Sequence, residues 1–247
     1  MSNNTVAVSV HELARLAPDY PFPHPPESFV FSDGEVLAPG AVPWRSEARF
    51  PVLAYGSNRS PAVLRRKYAG HSGVLLPTLR AQLRDFDVVY AAMVSTLGPV
   101  PATLAPARGA ECEVAVQFLT PDQLERMHRS ERVGVSYGFG QLPASLIEID
   151  GIGSCSCWFY HCLYGILRHD GGPIALAEVS CDGRRWPALT QREVQALVRH
   201  RLGSTATPHE FLVEHIADEN IRRDRIARLT ADAIPYVPEV AAAPEAS

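Results

Sequence analysis

The segment Tyr55–Asn58, Tyr-Gly-Ser-Asn, has the residue types of an anion-binding turn. It follows a short apolar run and precedes residues 60–68, where Ser60 suits a helix N-cap and Pro61 suits the first helical turn. A strand that enters a helix through such a turn directs backbone N–H groups and the positive end of the helix dipole towards one point. Gly56 leaves room for a ligand there, while Ser57 and Asn58 add side-chain donors. The same residue types also occur in turns that only cap a helix.

A carboxylate, Glu131, lies close to the next predicted helix. Thr120, Pro121 and Gln123 have the spacing of a capping box with proline at the first helical position, which predicts a helix over residues 121–127. A partly buried carboxylate can accept and return a proton during a reaction. The alternative is an exposed helix-end carboxylate that pairs with Arg129 or Arg132.

These two segments together resemble the γ-glutamylcyclotransferase-like family. Leu53-Ala54-Tyr55-Gly56-Ser57-Asn58 is similar to the family's first-strand signature, and the resemblance continues through residues 101–106 and 112–118 into the helix that ends at Glu131. The family usually writes that helix end as Leu-Asp, two variable residues, then Glu-Gly-Val. Here His128 stands for the aspartate and Arg132 for the glycine. The resemblance covers about residues 50–137 and extends weakly through residues 154–167.

The resemblance implies a cyclotransferase that converts a γ-glutamyl amine or peptide, as in glutathione-related metabolism, into 5-oxoproline and releases the amine. Glu131 would be the general acid/base, the Tyr55–Asn58 loop would hold the anion or oxyanion, and Tyr137 would either lend a hydroxyl or serve as a buried strand aromatic. No metal or cofactor is required. A non-catalytic binding or regulatory module on the same fold, and a hydrolase or acyltransferase using the same pocket, are the alternatives.

The resemblance also implies an α+β fold, a mixed-strand barrel or strongly twisted sheet with flanking helices. Runs rich in Val, Ile, Phe, Tyr and Cys predict strands over residues 82–93, 111–119, 144–149 and 154–167. Apolar residues at three- and four-residue spacing predict helices over residues 190–202 and 208–229. The chain is expected to divide into a proline-rich N-terminal arm (1–49) on the surface, a main domain (50–205), and a C-terminal helical extension (206–247) with a frayed end at 241–247.

Composition narrows the partners to small molecules. The net charge of -4 gives no general attraction to nucleic acid or anionic lipid. No stretch reaches the length of a membrane span or has the order of a secretory signal, so a cytoplasmic location is expected. The sequence does not indicate an oligomeric state. The basic clusters 65–67 and 222–225 are interpreted as solvated helix faces.

The five cysteines are an odd number in a chain without secretory features, which predicts reduced thiols rather than a disulfide framework. Cys155, Cys157, His161 and Cys162 have zinc-ligand residue types. Alternation along a strand, however, puts Cys162 on the opposite face from the other three. Small core residues are therefore the favoured interpretation, and no metal site is predicted.

Overall fold

The computed structural model describes residues 8–238. Its described helices are α1 (Val10–Leu16), α2 (Pro61–Lys67), α3 (Pro121–Glu131), α4 (Gln191–Arg201), α5 (Pro208–Ala217) and α6 (Glu219–Thr230). Its described strands are β1 (Phe29–Ser32), β2 (Glu35–Leu37), β3 (Phe50–Ala54), β4 (Leu75–Tyr90), β5 (Ala102–Leu119), β6 (Tyr137–Leu142), β7 (Ile147–Ile149), β8 (Gly153–Ser154), β9 (Cys157–Cys162), β10 (Arg168–His169), β11 (Gly172–Pro173), β12 (Ala175–Leu176), β13 (Cys181–Asp182) and β14 (Ala188–Leu189). None of these helices has the length and apolar character needed to span a bilayer.

A mixed sheet with flanking helices forms the centre of the molecule, which confirms the α+β prediction. Its main path runs β14-β12-β4-β5-β3-β9-β6, in which β3 pairs parallel with β9 and antiparallel with β5. The path ends at β14 and β6 without closing. The barrel alternative is therefore wrong, because these two end strands are not hydrogen-bonded to each other.

The sheet is covered on both faces, because neighbouring residues of its central strands are buried in two different clusters. Leu53 of β3 and Phe159 of β9 belong to one buried cluster, whereas Val52 and Trp158, their sequence neighbours, belong to a second. Successive strand residues point to opposite faces, so the two clusters lie on the two sides of the sheet. All six residues of β9 are buried, so this strand is covered on both of its faces.

The N-terminal segment does not lie on the surface of a fold that begins near residue 50. Phe29, Val30 and Phe31 are buried in β1, which pairs antiparallel with β4. The many prolines of this segment lie outside β1, so they do not remove donors from its ladder. The division of the chain at residues 49 and 205 stays a prediction, and residues 241–247, expected to fray, lie outside the described residues.

Local capping signals were mostly reliable. Thr120 and Gln123 form the predicted capping box: the Gln123 amide donates to Thr120 Oγ1 (3.3 Å), and the Thr120 amide donates to Gln123 Oε1 (3.0 Å). Ser60 occupies the N-cap position of α2, but its hydroxyl makes no capping bond and is buried without a partner among the described residues. The helix predicted over 208–229 is two helices, because Asp218 leaves the helical conformation and caps α6 through its carboxylate.

The prediction of reduced thiols was wrong for one pair. Cys112 and Cys181 form a disulfide, which joins β5 to the short strand β13. The two residues are 69 positions apart and become direct neighbours only through strand pairing. Cys155, Cys157 and Cys162 are free, and Cys157 and Cys162 pack in the two different core clusters.

Candidate functional site

A cavity of about 280 Å³ lies beyond the end of β3. Its wall contains all six residues that the sequence singled out: Tyr55, Gly56, Ser57, Asn58, Glu131 and Tyr137. The loop continues β3 into a turn of 3-10 helix, Ser57–Arg59, and then into α2. Glu131 reaches the same space from the end of α3. The fold therefore brings the two distant sequence segments to one hollow.

Glu131 is held by two side chains at one oxygen. Asn58 Nδ2 donates to Oε1 (3.1 Å), and Lys67 Nζ lies 2.5 Å from the same atom. No described residue donates to Oε2. The Glu131 side chain is 18% exposed, so it is not the solvated helix-end carboxylate of the alternative interpretation. Arg129, one of the partners expected there, pairs instead with Glu125.

Lys67 was assigned to a solvated face, and that prediction was wrong. It is the last residue of α2, its side chain is only 16% exposed, and its ammonium also donates to Asn58 Oδ1 (2.7 Å). This contact fixes the orientation of the Asn58 amide, so that Nδ2 faces Glu131. No local pattern marks Lys67 as different from Arg65 and Arg66, because only the packing of α2 against α3 separates them.

Tyr20, from the segment predicted as a surface arm, packs against the loop at Gly56. Its hydroxyl oxygen accepts from the Ala102 amide (2.9 Å). A Cβ on Gly56 would lie 2.5 Å from that oxygen, so glycine is required here by space. The hydroxyl proton of Tyr20 has no acceptor among the described residues. Burial raises the pKa of Tyr20 well above its ordinary value, opposed by the amides of Ala102 and Ser57, so the group stays protonated.

Two other buried tyrosines of the cavity wall have acceptors for their hydroxyl protons. Tyr55 donates to the Tyr160 carbonyl oxygen, and Tyr137 donates to the Ala102 carbonyl oxygen (3.4 Å). Burial raises the pKa of both phenols well above the usual range. Tyr137 is a buried strand aromatic that lines the cavity, while the prediction that it lends its hydroxyl to a ligand stays a prediction. Among the buried tyrosines of this wall, Tyr20 is the one whose hydroxyl proton has no acceptor within the described residues.

His128 and Arg132 occupy the two positions that depart from the family pattern. His128 Nδ1 lies 3.0 Å from the Tyr160 hydroxyl, and burial lowers the pKa of this imidazole, with Glu125 opposing. Arg132 ends α3 in the left-handed conformation (φ 54°, ψ 54°), a conformation that glycine adopts without strain. The arginine keeps the backbone geometry that favours glycine while adding a cation to the cavity wall.

The C-terminal helix α6 completes the cavity. Glu219, Arg222, Arg223 and Ile226 line it, although sequence analysis interpreted residues 222–225 as a solvated face. Arg222 donates through Nη1 to the His215 carbonyl oxygen (2.8 Å), and Arg223 pairs with Glu219 (2.7 Å). The position of α6 over the cavity depends on tertiary packing, so the helical periodicity did not reveal it.

The zinc interpretation of the cysteine-rich strand gains no support from the described side chains. Their one group with ligand atoms close enough for a metal is Asp87, Cys112 and Cys181. There, the two sulfurs are joined as the disulfide and Arg184 pairs with Asp87 (3.0 Å).

Comparisons with known proteins found similar solved structures, all of low identity and low TM-score. No family model and no curated protein matches the chain. A solved structure of a gamma-glutamyl cyclotransferase is similar over 78% of this chain and 94% of its own, with 12% identity and a TM-score of 0.40. An uncharacterized human protein is similar over 79% and 95% (14% identity, TM-score 0.39). A yeast gamma-glutamyl cyclotransferase specific to glutathione is similar over 72% and 99% (12% identity, TM-score 0.33). At such low identities and TM-scores, the chemistry of the site has to be argued from its own residues.

Proposed function

We propose that this protein cyclises a γ-glutamyl amine or peptide to 5-oxoproline and releases the amine. The observation that carries the proposal is the state of Glu131: two donors hold Oε1, while Oε2 has no described donor and the residue lines the cavity. A fixed carboxylate with one free oxygen beside an anion-binding loop has the arrangement that a proton-transfer catalyst needs.

The reaction begins with a proton transfer. The α-amine of a γ-glutamyl group is protonated in neutral water and cannot attack until it loses a proton. Glu131 takes this proton through Oε2, and the amine nitrogen then forms a bond with the carbonyl carbon at the γ position. The tetrahedral intermediate collapses when the bond from that carbon to the leaving nitrogen breaks. Glu131 returns this proton to the leaving nitrogen, and the second proton of the ring nitrogen also passes to the released amine, which leaves as an ammonium ion. A positioned general base of this kind contributes about 10²- to 10⁴-fold to the rate.

The oxygen of the attacked carbonyl gains negative charge during this step. Tyr20 and Gly56 line the cavity, where the Tyr20 hydroxyl and the Gly56 amide supply hydrogen-bond donors of the required kind. The raised pKa of Tyr20 suits this role, since a phenol that stays protonated remains a donor over the whole working pH range. A cytoplasmic location, expected from the sequence, belongs to the same proposal.

The proposal is tested by incubating the purified protein with a panel of γ-glutamyl amino acids and amines and separating the products by mass. We expect 5-oxoproline together with the free amine. Glu131→Gln should lower the rate about 10²-fold or more. Glu125→Gln is the matched control, because Glu125 is an exposed carboxylate on the same helix, outside the cavity.

Three other outcomes would contradict cyclisation. Free glutamate in place of the ring would indicate a hydrolase, and transfer of the γ-glutamyl group to an added amine would indicate an acyltransferase. Ligand binding by calorimetry without any chemical change would indicate a binding or regulatory module. Full activity of Glu131→Gln would exclude the assigned role of the carboxylate.

A further inference from the structure

The cavity wall carries more positive than negative charge. Among the described residues that line it, four are cationic (Lys67, Arg132, Arg222 and Arg223) and two are carboxylates (Glu131 and Glu219). The whole chain has the opposite sign, with a net charge of -4. A cavity wall with a net positive charge attracts anionic ligands, even on a molecule whose net charge is negative.

Pairing within the wall shows which cations remain for a ligand. Lys67 is taken by Glu131, and Arg223 is taken by Glu219. Arg222 uses Nη1 for the His215 carbonyl oxygen, and its other guanidinium nitrogens have no acceptor among the described residues. Arg132 has no carboxylate partner there either. Two guanidinium groups therefore remain free on the wall of the cavity.

The position of Arg222 is fixed by the fold around it. Its partner His215 lies in α5, is fully buried, and holds the Gly98 carbonyl oxygen through Nε2 (3.0 Å). Arg225, one turn further along α6, donates to the Phe211 carbonyl oxygen (2.6 Å) and contacts His215 Nδ1 (2.8 Å). These contacts tie α6 to α5 and to the loop around Gly98, which borders the cavity. Arg222 therefore lies on a helix whose position these contacts fix. A guanidinium group can donate two parallel hydrogen bonds to a carboxylate or a phosphate.

We infer that α6 selects the substrate of the proposed reaction: Arg222, with Arg132, binds an anionic group on the amine part of the γ-glutamyl compound. This inference rests on the proposed function and narrows it. Neutral amines of the same size would leave these guanidinium groups without a partner, and cationic amines would be repelled. Arg222 and Arg132 are specificity-determining residues, whereas Glu131 acts on the reacting atoms.

The experiment compares pairs of substrates in which one member carries an anionic group on its amine part and the other is neutral there. γ-Glutamyl-alanine and γ-glutamyl-alaninamide have the same size, but only the first has a carboxylate on its amine part. γ-Glutamyl-ethanolamine and its phosphate ester form a second pair, which separates preference for a carboxylate from preference for a phosphate. We expect kcat/KM for an anionic member to exceed that of its neutral partner by about tenfold or more. Raising the ionic strength should reduce that ratio, because salt screens charges near the surface.

Arg222→Gln and Arg132→Gln should each lower the anionic-to-neutral ratio, and the double variant should bring it close to one. Arg129→Gln is the control, since Arg129 is an exposed arginine of the α3 end that pairs with Glu125 and does not line the cavity. Thermal unfolding of each variant identifies those that lose activity by misfolding. If a variant misfolds, the inference is still tested by measuring how the anionic-to-neutral kcat/KM ratio of the native protein changes with ionic strength.

The outcomes distinguish the two proposals. If both members of each pair are cyclised at equal rates, or if Arg222→Gln keeps the native ratio while folded, the inference on α6 is overturned and cyclisation stands. If no compound is cyclised, the proposed function fails first. A preference for neutral amines would also overturn the inference.

Discussion

Nζ of Lys67 lies 2.5 Å from Oε1 of Glu131, although the two residues end different helices and are 64 positions apart. Both side chains are mostly buried, so the pair is shielded from solvent more than a surface ion pair is. Asn58 contacts both partners and completes a three-residue unit. This unit occupies Oε1 of Glu131 and leaves Oε2 without a donor among the described residues.

Replacing Lys67 by Met should lower kcat/KM, because Glu131 and Asn58 both lose the ammonium that holds them in place. Lys67→Arg keeps a cationic donor at this position and should retain more of the rate. Rates of both variants, measured beside thermal unfolding, test this. Native kcat/KM in a folded Lys67→Met protein would mean that Lys67 does not position Glu131.

Replacing Tyr20 by Phe should lower kcat by about tenfold or more, because the substrate carbonyl loses a buried donor. The ring is retained, so packing against the loop should survive. The Ala102 amide loses its acceptor, at a cost of about 1 kcal/mol in unfolding free energy. Tyr68→Phe is the control: Tyr68 is a buried phenol outside the cavity whose hydroxyl has no partner among the described residues. It should keep full activity. Equal effects of the two changes would remove Tyr20 from the mechanism.

Gly56→Ala should be harmful mainly through Tyr20. The new Cβ would meet the Tyr20 hydroxyl oxygen at 2.5 Å, but the ring carbon that bears this oxygen lies 3.5 Å away, an ordinary contact. In a Tyr20→Phe background, the same substitution should therefore cost much less stability. A double-mutant cycle on urea unfolding measures this coupling. Additive effects would show that Gly56 is required for a reason other than space beside Tyr20.

Acid should destabilise the protein through His215. Burial lowers the pKa of this imidazole from 6.5 to about 4, and its two nitrogens are occupied by Gly98 and Arg225. The unfolded chain binds the proton at the higher pKa, so the folded state loses stability as pH falls below about 6.5, and the loss ends near pH 4. From about pH 7 to about pH 5, this histidine should remove about 2 kcal/mol.

Urea unfolding of native protein and of His215→Gln at these two pH values tests the prediction. The glutamine can still donate to the Gly98 carbonyl oxygen but cannot titrate, so its unfolding free energy should depend less on pH. His200→Gln, which changes an exposed histidine of α4, should keep the native dependence. If His215→Gln loses as much stability as the native protein on acidification, another group is responsible.

The sequence alone determined the features that depend on neighbouring residues. They are the capping box of Thr120 and Gln123, the strand, turn and helix around Gly56, and the alternation that places Cys157 and Cys162 on opposite faces of β9. Hydrogen bonds between residues three apart and side-chain periodicity act locally, so their patterns can be read without the fold. The resemblance through residues 53–58 and 127–133 also predicted that Glu131 and the loop act together. Both of them line the same cavity, as this hypothesis requires.

Only the tertiary structure decided which other side chains reach that cavity. Tyr20 comes from a segment expected on the surface, Lys67 and Arg222 come from basic clusters assigned to solvent, and Cys181 meets Cys112 only through strand pairing. Each of these contacts joins residues far apart in the chain. Their closeness is set by the register of the sheet and the packing of helices over it, and a local pattern of residue types carries no information about either.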